Sequence, residues 1–98
     1  MQRMDIPETV TTIESNAFSW CISLSTITLP ASVSAIGVEA FCDCYVLNSV
    51  RCYMETPPSI TENVFTHRPK ATLYVPAGSK AAYEAADYWK EFMEIKEF

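Results

Sequence analysis

At 98 residues, with 49% hydrophobic and 19% charged side chains, the chain has material for one globular core and no room for a second domain. A formal net charge of −5, with only 7 lysine and arginine residues and no cluster among them, excludes a phosphate-tracking surface, so nucleic acid is not an expected partner. No apolar run reaches the roughly 18–20 residues that span a bilayer, and Met1-Gln2-Arg3-Met4-Asp5 has no signal-peptide core, so no membrane insertion is expected.

The first element is a short strand carrying Met1, Met4 and Ile6, ended by Pro7, which cannot continue a ladder. A second short strand is expected around Ile13 with Val10 also inward, then a tight helical turn through Ala17-Phe18, then Cys21. The next strand, with Leu24, Ile27 and Leu29, ends at Pro30, and the whole succession returns: Val33, Ile36, Ala40-Phe41 and Cys44, then Leu47, Val50 and Cys52. Each stands 23 residues after its counterpart. In the third passage Ile60 and Val64-Phe65 arrive one residue late, behind Thr56-Pro57-Pro58-Ser59, which reads as a one-residue insertion in a loop. A fourth strand carries Lys70, Leu73 and Val75 before Pro76, its opening position having lost the apolar residue.

Beyond Pro76 the period gives way to Ala77-Gly78-Ser79, a turn and N-cap, and then to an alanine-rich helix from Lys80 to about Lys90. Trp89, Phe92 and Ile95, at three-residue intervals, are expected to lie against the last coil and cover its core and sheet edge. Tyr83, Tyr88 and Trp89 are read as packing residues of this cap.

Alternation over each strand buries one side and exposes the other. One coil cannot cover its own apolar side, but coils stacked at about 4.8 Å align Met4, Ile27, Val50 and Leu73 into one buried ladder and Ile6, Leu29, Cys52 and Val75 into another. The L-x-x-L-x-L spacing of these strands is the signature of leucine-rich repeats. The expected fold is therefore an α/β repeat: a leucine-rich-repeat solenoid of three to four short coils with a parallel β ladder and a C-terminal helical cap. It forms a single domain over 1–98, with repeats over 1–76 and the cap over 77–98. The first coil has no such cover, which points to upstream repeats or to self-association through its bare side.

The segment Leu29, Pro30, Val33, Ile36, Gly37, Ala40, Phe41, Cys44, Leu47 and Val50 resembles the repeat of the BspA-like leucine-rich repeat family of bacterial surface proteins. The closing stretch from Ala71 to Phe92 resembles the last coil and cap of that family. Glu14 and Thr61 stand where the family has a glycine, and family members usually have many more coils. The resemblance implies a cell-surface or secreted location and, for some members, adhesion or binding of host proteins; it implies no catalytic residues.

The candidate chemistry is sparse. Cys21 and Cys44 share one slot under the turn and read as small buried hydrophobes, whereas Cys42 falls on an outward position and is the expected exposed thiol. The cysteines lack a paired C-x-x-C and a nearby histidine, and no metal or cofactor is expected. Glu14, Glu39, Asp43 and Glu62 form no repeated acidic loop. His67 is expected in a solvated loop. With no nucleophile elbow and only Gly37 and Gly78 available, neither catalysis nor nucleotide binding is expected.

What remains is the outward face of the strand ladder, with Asp5, Thr28, Arg51 and Tyr74 in one column and Arg3, Thr26, Ser49 and Thr72 in the next. Repeat proteins commonly bind through such a face. The expected function is a protein-binding or adhesion module whose partner is another protein, of host or extracellular-matrix origin, or a glycan. The alternative is a purely structural segment that closes a longer solenoid or self-assembles through the first coil.

Overall fold

The computed structural model describes residues 2–98; Met1, expected on the first rung, lies outside them. Five strands form one parallel sheet in the order β1 (Gln2–Asp5), β3 (Leu24–Leu29), β5 (Ser49–Cys52), β6 (Thr72–Val75) and β7 (Glu94–Glu97). The register is the one the repeat dictates: Met4 pairs with Ile27, Ile27 with Val50, and Val50 with Leu73. β2 (Thr12–Ile13) and β4 (Ala35–Ile36) pair in parallel on the other side of the coil. Strands β1, β3 and β6 end one or two residues before Pro7, Pro30 and Pro76, as the missing proline N–H requires.

Between the two sheets the chain turns through tight bends in which the backbone also bonds from coil to coil. The amides of Asn16, Phe18 and Trp20 donate to the carbonyls of Val38, Ala40 and Cys42. Asn16 and Trp20 in the first coil, and Glu39 and Asp43 in the second, adopt left-handed backbone conformations with φ of 57–63°. The same slots repeat at the same spacing. The phenyl rings of Phe18, Phe41 and Phe65 stack face to face at 5.2 and 5.0 Å between centroids, and the 24-residue step to Phe65 locates the insertion at the Pro57-Pro58 loop. That loop also removes an expected strand: Ile60 is buried, but outside any strand, because two prolines upstream leave no donors for a ladder.

Ile27, Leu29, Val50, Cys52, Leu73 and Val75 are fully buried. Met4 departs from the expected buried ladder. At 40% exposure it lies on the bare side of the first coil, where no described rung covers it.

The C-terminal segment corrects the sequence reading in its second half. The helix α1 spans only Lys80–Ala85, followed by a 3-10 turn at Trp89–Glu91 and then by β7, which adds a fifth rung with Ile95 opposite Leu73. The helix stops because Ala86 is extended and Tyr88 takes φ 67. Gly78 at φ 91 makes the turn into α1, as expected, and its amide donates to the Glu97 carboxylate. Ser79 is the N-cap residue, but its hydroxyl makes no capping bond. The packing role of the cap aromatics holds: Tyr83 and Trp89 are buried, the Tyr83 hydroxyl donates to the Met54 carbonyl, and the Trp89 indole donates to the Pro58 carbonyl. Tyr88 is half-buried, its ring under the Arg68 guanidinium.

Arg68 fastens this cap and was not singled out from the sequence. Its side chain is almost wholly buried, and its guanidinium donates to the Glu62 and Phe65 carbonyls and to the Glu91 carboxylate at 2.6–3.0 Å. Every remaining donor of a buried cation needs such partners, and here backbone carbonyls supply them.

Candidate interaction face

The two outward columns assemble as the repeat requires. Arg3, Thr26, Ser49 and Thr72 lie on successive rungs and continue to Glu94; Asp5, Thr28, Arg51 and Tyr74 continue to Lys96. Arg3 and Asp5 are exposed and joined at 3.1 Å, and the other six are half-buried. The nearby Thr28 hydroxyl, which itself makes no hydrogen bond among the described residues, and the bonded Arg3 hold the Asp5 carboxyl below its ordinary value, so Asp5 is a fixed negative charge at the edge of the face. The middle of the face is short and hydroxyl-bearing.

The far end is different in chemistry. The Arg51 guanidinium lies over the rings of Tyr74 and Phe98, at 5.4 and 5.2 Å to their centroids, and Phe98 stacks on Tyr53 at 4.6 Å. Arg51 Nε is buried without a hydrogen-bond partner among the described residues. Arg51 and Tyr74 were legible in the repeat register. Phe98, Glu94 and Lys96 were missed because the last strand was read as cap, although Phe92-x-x-Ile95 repeats the spacing of Leu47-x-x-Val50 and could have shown it; Tyr53 was missed because it lies one residue beyond β5.

The other side chains weighed from the sequence fall as follows. Cys44 and Cys52 are buried; burial pushes the Cys44 thiol up to about 11 and raises that of Cys52 further. Cys42 is half-buried rather than exposed and Cys21 half-buried rather than buried, so the expected contrast between them is absent; the Cys42 thiol is raised by burial and by its hydrogen bond to the Asp43 carboxylate. His67 is not a free loop side chain: its ring tilts against Tyr45 at 4.8 Å, with Nε2 3.9 Å from Asp43 Oδ1. Among the described residues no group of three His, Cys, Asp or Glu side chains is arranged to hold a metal ion. No described helix is long and apolar enough to cross a membrane. A cleft of about 500 Å³ lies between Ala31, Val33, Met54 and the Pro57-Pro58 loop, with Tyr53 and Glu55 also on its wall.

Coils of one strand and one turn, stacked in parallel with a ladder of inward aliphatic residues, define a leucine-rich-repeat solenoid. The family described as BspA type leucine rich repeat region (6 copies) matches residues 1–85, and the chain belongs to that family. No curated protein matches it. Among solved structures it is similar to a leucine rich cell surface protein from Faecalibacterium prausnitzii A2-165, at 19% identity and a TM-score of 0.58. The likeness covers 97% of this chain and 31% of that one, so the chain spans about a third of the length of its structural neighbour, and the shared feature is the fold.

Proposed function

We propose that this chain is a non-catalytic binding or adhesion module of a surface or secreted leucine-rich-repeat protein, and that its partner, a protein or a glycan, lies across the outward face of the five-stranded ladder. The observation that carries this reading is Arg51. It is an arginine on the central rung of a continuous polar face, its guanidinium over the rings of Tyr74 and Phe98, with no carboxylate within ion-pair distance among the described residues. Arginine and tyrosine are the residue types that most often dominate interface energetics. Family membership supports a binding or structural role, and the description of the Faecalibacterium protein as a cell surface protein supports the location.

The test is a direct binding screen of the 98-residue chain against immobilised extracellular-matrix proteins and glycans, repeated with Arg51→Ala and Tyr74→Ala. Each substitution is expected to weaken a partner found in the screen by about 2 kcal/mol, roughly thirtyfold. Affinity unchanged in both variants discards this face.

A second reading has its own observation. Met4, Ile6, Val10, Ile13 and Phe18 line a cleft of about 350 Å³ on the bare side of the first coil, and their counterparts one coil on are closed. This side suits stacking on another coil, in a structural or self-assembling role. Sedimentation equilibrium separates the readings: a dimer abolished by Phe18→Glu supports assembly, whereas a monomer at high concentration rejects self-assembly by this chain.

A further inference from the structure

The edge where the coils turn carries a second cluster that the strand face does not use. Trp20 is 60% exposed, and its backbone sits in the left-handed region at φ 63. The equivalent slot in the next coil holds Asp43 at φ 57, a residue type whose short polar side chain suits that conformation, whereas an indole gains nothing from it. A strained backbone and a solvent-facing indole both work against stability, and that combination marks a residue kept for contact with something else.

The surroundings say what kind of contact. The Trp20 ring meets Tyr45, 52% exposed, edge-on at 5.8 Å, and Tyr45 in turn rests on His67. The Asp43 carboxylate is held beside them, with Oδ2 accepting from the Cys42 thiol, Oδ1 3.9 Å from His67 Nε2, and its own backbone amide anchored by the Thr66 hydroxyl. Aromatic faces attract cations, tryptophan most strongly, and a fixed carboxylate beside them adds a full charge in a chain whose net charge is already −5. We propose that Trp20, Tyr45 and Asp43 form a docking site for a cationic side chain, arginine or lysine, projecting from a partner protein. The site is opposite in charge preference to the Arg51 end of the strand face, so the two faces select different ligands.

The test uses the 98-residue chain and acetyl-Gly-Arg-Gly-amide as probe. Trp89 is 1% exposed, so a change in tryptophan emission on titration reports Trp20, and amide chemical shifts locate the contact independently. The expected result is saturable quenching, weakened by salt, with shifts confined to the segments around residues 20, 43 and 45. Asp43→Asn, which keeps a left-handed-tolerant residue, is expected to weaken binding about fivefold. Trp20→Asn is expected to abolish the shifts while leaving the unfolding midpoint equal or higher, which separates a binding role from a structural one. Arg51→Ala is expected to leave the titration unchanged, so the fate of this site is independent of the strand face. Absence of a saturable response, an equal response to acetyl-Gly-Glu-Gly-amide or methyl glucoside, or wild-type affinity in Asp43→Asn would each overturn the proposal.

Discussion

The first and second coils place like residues in like slots, yet they are not equally buried. Met4 is 40% exposed where Ile27 is fully covered, and Phe18 is half-buried where Phe41 is 1% exposed. The difference shows that burial in this fold belongs to the interface between coils and not to any coil alone. At the other end the problem is solved by different means. Trp89 and Phe92 close over Phe65 at 5.5 and 5.4 Å, and β7 pairs the edge of β6.

The sharpest way to break the comparison is to remove the closure. Trp89→Ala deletes the ring that seals the last coil and leaves the Pro58 carbonyl without its donor; a loss of about 3–5 kcal/mol in chemical denaturation is expected. Next in size, Ile27→Ala is expected to cost about 2–4 kcal/mol and Met4→Ala under about 1 kcal/mol, although both sit in the same column. Equal costs would mean that stacking does not control burial.

Gly37→Ala tests the backbone version of the same contrast. A Cβ on Gly37 would lie 2.4 Å from the Ser15 amide nitrogen and 2.8 Å from the Glu14 carbonyl carbon, so backbone of the preceding coil would have to move. A cost of about 1–3 kcal/mol is expected by thermal unfolding. The first coil carries Glu14 at this slot, on the side where no described coil approaches, which is why its sequence departs there from the repeat without penalty.

The smallest effect is in the thiols. Cys21 and Cys42 are expected to react with iodoacetamide in the folded protein well before Cys44 and Cys52, as read by mass spectrometry at pH 8. The linked stability change has a definite sign. Cys44 has a folded pKa raised from 9.0 to about 11, so the protonated thiol's contribution is complete below pH 9 and is lost as pH rises toward 11.

Most of the fold was legible in the sequence because a 23-residue period fixes register: once Ile27 and Val50 are equivalent, their pairing and the composition of both outward columns follow. The cap was legible only in part. Ile95 and Phe92 stand three apart, a spacing that a helix and an L-x-x-L-x-L strand share, and only the tertiary edge of β6 decides between them. His67 was misjudged and Arg68 passed over for a related reason. A charged side chain in a loop reads as solvated until the partners that bury it, Glu91 and two carbonyls for the one, Tyr45 and Asp43 for the other, are brought together by the coil. The turn edge with Trp20 was silent because a left-handed backbone leaves no mark in a single tryptophan.

Native-state hydrogen exchange is the most direct probe of the stacked-rung account, since amides report how firmly each strand is held. Protection is expected to be greatest for Val50 to Cys52 and Leu73, with a coil on each side, and least for Arg3 to Asp5. Protection as strong in β1 as in β5 would contradict the claim that each coil is held by its neighbours.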